Sequence, residues 1–129
     1  MKQITLEWLD RAAEDFDLAE ELFQAESRFK NNIAFLAQQA SEKYLKSLLI
    51  ENEIEFRKTH SLPLLIELLL PAFPTAETVR QEAELLTPYA VASRYPGLQV
   101  NDVDIRPAIE AARTIRQFVT GHLPATEGA

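Results

Sequence analysis

The chain has 129 residues, 47% hydrophobic and 26% charged, the proportions of a single globular domain rather than a disordered segment. It contains no cysteine, which excludes disulfides, thiolate-bound zinc and cysteine nucleophiles. A net charge of −7 argues against a general polyanion binder, since nucleic-acid affinity rests on Lys and Arg set against phosphate, and leaves room only for a local basic pocket.

All three glycines lie at or beyond Gly97, a scarcity that favours helices over tightly turned strands. An opening helix is predicted from Thr5, its expected N-cap. Leu9, Ala12, Ala13, Phe16, Ala19 and Phe23 keep the i, i+3, i+4, i+7 rhythm, and Leu18 and Leu22 lie off that stripe. Ser27 to Asn31 reads as a turn and residues 32–53 as a second helix. A shorter third helix is expected from Ser61, its cap, with Pro63 tolerated in the first turn and Pro71 beyond the end. The fourth begins near Thr75 and is kinked or ended by Pro88. Ala92 to Gly97 reads as a helix exit and turn. Asn101 to Asp104 caps a last helix striped by Ile105, Ala108, Ile109, Ala112, Ile115 and Val119, which Gly121 and Pro124 should end.

The expected fold is therefore all-α, an up-and-down bundle of four long helices plus one short helix in a single domain, residues 1–129. Its ordered core covers about 5–121, and the tail from Ala125 is expected to be mobile. No run approaches the ~18 apolar residues of a membrane span and no secretory signal opens the chain, so a cytoplasmic setting is expected.

The second helix carries the most chemistry. Gln39, Glu42, Lys43 and Lys46 share an arc of roughly 100°, while apolar residues fill most of the remaining surface. A helix of that kind sits inside a bundle, where charged groups need partners. Glu42 and Lys46 either form an i,i+4 pair on a wet face, or Gln39, Lys43 and Lys46 line a polar cleft with Arg94 as a further partner. His60 either caps the third helix or joins Lys58 in holding an anion there. Arg94 reads equally as a structural partner of Glu42 in the bundle. Two distant histidines and no HExxH pattern give no metal site, and no Gly-rich loop indicates a cofactor.

Four ordered elements resemble the HEPN domain family (higher eukaryotes and prokaryotes nucleotide-binding). They are Trp8, Ala12, Asp15 and Ala19 in the opening helix; the block from Gln38 to Lys46; Lys58-Thr59-His60-Ser61-Leu62; and Tyr89 followed by Arg94-Tyr95-Pro96. The resemblance implies a helical bundle that forms a homodimer and pairs with a minimal nucleotidyltransferase in a toxin–antitoxin-like system. It also implies nucleotide or RNA as a ligand of the Gln39, Glu42, Lys43, Lys46, Lys58, His60 and Arg94 region. Some relatives are metal-independent toxin ribonucleases with an R-x4-6-H motif. The formal match here is Arg116 and His122. Chance alone supplies about 0.4 such matches in this composition. The two residues also stand ~120° apart on an ideal helix, and no tyrosine follows His122. A histidine and an arginine could nevertheless serve as proton acceptor and phosphorane partner if the fold joined them.

Overall fold

The computed structural model describes residues 1–91, 96 and 99–125. Among these there are five α-helices and no strand: α1 (Gln3–Gln24), α2 (Lys30–Glu51), α3 (Leu62–Leu69), α4 (Arg80–Leu86) and α5 (Asp102–His122). Two 3-10 segments, Pro74–Val79 and Thr87–Ala90, flank α4. The fourth helical stretch is thus composite. Each 3-10 segment carries a proline in its first turn, where the missing N–H costs nothing, and α-helical bonding holds only between them.

Helix α2 is the centre of the bundle and touches α1, α3, α5 and the Thr87–Ala90 segment. Its residues Ala40, Tyr44, Leu45, Leu48 and Leu49 are all buried, with Ser41, Glu42, Lys46 and Ser47 buried between them, so it is covered on several sides rather than along one stripe. The apolar ones among them meet Phe16, Leu65, Ile66, Leu86, Ala112 and Ile115 in the main core. A second apolar cluster, Ala19, Ile33, Ala34, Val100, Ile105 and Ile109, fills the end of the bundle near the α1–α2 turn.

Helix ends follow local chemistry. The Ser61 side chain accepts from Leu64 N–H, capping α3 as expected. Asn101 and Asp104 form a reciprocal capping box on α5. Thr5 is not a cap. α1 starts two residues earlier, and the buried Thr5 hydroxyl donates to Glu51 Oε1 at 2.9 Å, tying the start of α1 to the end of α2. Nor does Gly121 end α5. The helix runs through His122, and Leu123 turns extended (φ −88°, ψ 152°) because Pro124 follows.

With no glycine before Gly97, α1 and α2 exit through glutamates. Glu26 (φ 53°) and Glu53 (φ 56°) adopt the left-handed conformation. Ser27 N–H donates to Leu22 O and Glu26 N–H to Phe23 O; Ile54 N–H to Leu49 O and Glu53 N–H to Ile50 O repeat the same Schellman pattern. No helix among the described residues is long and apolar enough to cross a membrane.

Candidate functional site

The polar residues of α2 meet those of the segment leading to α3. Gln38, Glu42 and Lys46 follow one another at i, i+4 and i+8, so they align along one face. Glu42 Oε2 accepts from Lys46 Nζ at 3.0 Å, and Glu42 Oε1 accepts from Gln38 Nε2 at 3.1 Å. His60 Nδ1 lies 2.9 Å from the same Oε1. Gln38 Nε2 also reaches His60 O at 3.3 Å, and Gln39 Nε2 donates to Gln38 Oε1 at 2.7 Å. The Glu42 and Lys46 side chains are only 6% and 7% exposed, whereas that of His60 is 50% exposed. The pair is therefore not a wet helix face, and the network reaches solvent at the imidazole.

The Lys46 ammonium has a further environment. It stands 5.9 Å from the Trp8 ring centroid and 5.7 Å from that of Phe56, so two aromatic faces complement a charge withdrawn from water. Burial by itself would raise the pKa of Glu42. Hydrogen bonds from His60, Lys46 and Gln38, with the Lys46 charge, outweigh it and hold the carboxyl below its ordinary value.

The remaining sequence candidates go elsewhere. Lys43 turns toward α1 and binds Asp15 Oδ2, leaving the cluster; it lines an open groove of about 820 Å³ with Ile4, Trp8 and Arg11. Lys58 is exposed beside His60. Arg94 and Tyr95, and with them the expected Arg94–Glu42 pairing, lie outside the described residues, as does most of the expected mobile tail. Ser61, not His60, caps α3.

Arg116 and His122 are drawn to different neighbours. The Arg116 guanidinium lies 4.0 Å above the Phe16 ring on the α1 side. Burial pushes the pKa of the nearby Tyr44 hydroxyl up, and the Arg116 charge opposes the rise. His122 Nδ1 donates to Phe118 O at 2.8 Å, and Nε2 sits 3.2 Å from Thr75 Oγ1. Its ring packs on Phe118 and Phe73, with centroids at 4.4 and 5.5 Å. Both ring nitrogens are thus engaged in fixing the end of α5 against the Pro74–Val79 segment. No group of three or more potential metal ligands occurs among the described residues.

The HEPN domain is the family whose sequence profile matches, over residues 5–122. The chain belongs to the HEPN domain family. Among solved structures, TT1696 from Thermus thermophilus superposes with a TM-score of 0.82 at 23% identity, covering 95% of this chain and 100% of that one. ST0689, an archaeal HEPN homologue, superposes with a TM-score of 0.69 at 28% identity, covering 94% of this chain and 98% of that one. No curated protein matches.

Within this HEPN fold, sequence reasoning brought Glu42, Lys46 and His60 together with Gln39 at their edge, and it missed Gln38, Trp8 and Phe56 as members. Gln38 was detectable, because the 38-42-46 spacing of four makes a tighter row than 39-42-43-46. The two aromatic neighbours come from α1 and from the segment after α2, which no local spacing reveals.

Proposed function

We propose that this HEPN chain is a protein-binding module of the cytoplasm that forms a homodimer. Its partner is a minimal nucleotidyltransferase, in a two-component, toxin–antitoxin-like system. The observation that supports this reading best is the set of large apolar side chains left in water: Ile4, Leu18, Phe29, Leu85 and Val103. Apolar groups scattered singly over a surface are ordinary, but Ile4 and Leu18 share one helix, and apolar residues gathered on one face favour association with another protein. The polar cluster supports it from the other side. Lys46 is neutralised by Glu42 and enclosed by aromatic rings, so it has little charge to offer a phosphate. A nucleotide or RNA phosphate is better served by Lys58 and His60 at the wet edge of the network.

The ribonuclease alternative gains no support from the placement of Arg116 and His122 against separate neighbours. The two readings separate in one experiment. Purified protein is incubated with single-stranded RNA in EDTA, alone and with a minimal nucleotidyltransferase encoded beside it. Intact RNA and co-elution of the two proteins in a stoichiometric complex are expected. RNA cleavage that disappears in His122→Ala, with the helical content retained, would replace this reading by the nuclease one. Lys58→Ala is the suitable probe of phosphate binding, because Lys46→Ala would disturb the buried network as well.

A further inference from the structure

Along α1, Ile4, Trp8, Arg11, Asp15, Leu18 and Leu22 recur at spacings of four, three, four, three and four. They occupy a strip roughly 80° wide and ~27 Å long. It lies beside the buried stripe of Thr5, Ala12, Phe16 and Ala19, not on it. Ile4 is 46% exposed and Leu18 47%, Arg11 is exposed, and Trp8, Asp15 and Leu22 are half-buried. The core of the molecule covers Trp8, Asp15 and Leu22 in part and leaves Ile4, Arg11 and Leu18 exposed.

Turned end over end, the strip is complementary to itself, with apolar residues facing apolar ones and the cation facing the anion. Its order is two apolar residues, a cation, an anion, and two apolar residues, and the spacing is symmetric about the midpoint between Arg11 and Asp15. We infer that a second copy of this chain covers it, with the two α1 helices antiparallel about a two-fold axis at that midpoint. Each Ile4 then meets Leu22 of the other copy, each Trp8 meets Leu18, and each Arg11 meets Asp15. A two-fold interface needs this self-complementarity, and most surface strips lack it. The charges also select the direction. A parallel pairing in register sets Arg11 against Arg11 and Asp15 against Asp15, whereas the antiparallel one makes two ion pairs. Asp15 holds Lys43 through Oδ2, which leaves Oδ1 for the incoming guanidinium. Glu7, Glu14 and Glu21 stay on the exposed flank, where rim charges weigh little.

This inference rests on the homodimer reading and names its interface, so the test separates the two. The native chain has no cysteine, which makes engineered cross-links unambiguous. Sedimentation is measured first. Mild oxidation then follows for Ile4→Cys and Leu22→Cys proteins, each alone and mixed. A dimer, with disulfide only in the mixture, is the expected result, since two Ile4→Cys sulfurs would lie ~27 Å apart in this register. Leu18→Glu, at an exposed position, should weaken the dimer about tenfold or more while helical content stays native. A dimer without the mixed cross-link, or with cross-links in the single variants, overturns the interface and leaves the homodimer standing. A monomer at every concentration overturns both. So does an α1 strip whose NMR signals shift only when a different protein is added.

Discussion

Glu42 accepts from every donor around it, and each of those donors has its own role in keeping a charge buried. Removing one member of a buried pair leaves the other uncompensated, while removing both leaves none. Lys46→Ala should therefore cost about 3–5 kcal/mol in urea unfolding. Glu42→Leu with Lys46→Met should cost less than either single change; an additive loss would show the network to be a net stabiliser. Because the folded Glu42 carboxyl titrates below its ordinary value of 4.5, the unfolded chain takes up its proton first. The associated stability is complete above that value and is lost as pH falls through the lower, folded one. Thermal melts between pH 7 and 3 should fall toward the acid end. In Glu42→Gln that slope should flatten, and a slope unchanged from native would contradict the assignment.

At the scale of the element, the helices are determined mostly by near neighbours in sequence. Ser61→Ala removes the only side-chain cap of α3 and should cost about 1 kcal/mol. The exit of α1 offers the reverse experiment. Glu26 holds a positive φ that glycine adopts without a Cβ penalty. Glu26→Gly should raise stability by up to about 1 kcal/mol in denaturant titration; no gain would mean that the loss of unfolded-state stiffness cancels it. The Gly121 expectation failed for the complementary reason. A glycine permits a helix end but does not impose one, whereas Pro124 constrains the residue before it. Thr5 had the right chemistry for a cap, yet a carboxylate from the far end of α2 claimed its hydroxyl.

For the whole molecule, α2 inside and α1 outside divide the work. α2 commits Gln38, Glu42 and Lys46 to an internal network, and α1 leaves Ile4 and Leu18 exposed. If a second copy covers them, folding and association are linked by mass action, and the melting temperature should rise with protein concentration. A tenfold dilution series by calorimetry checks this; a constant midpoint would indicate a monomer.

The sequence alone determined the all-helical class, the elements in order, the α3 and α5 caps, and family membership through Trp8, the Gln38–Lys46 block and the Lys58–Leu62 segment. These depend on periodicity, capping and chain order, which are local properties. Tertiary structure decided that Lys46 turns inward between Trp8 and Phe56 while Lys43 turns to Asp15, and that Arg116 and His122 part company. A helical wheel gives the angle at which a side chain leaves its axis. Only the packing of the other helices settles whether water, a carboxylate or an aromatic face waits at that angle.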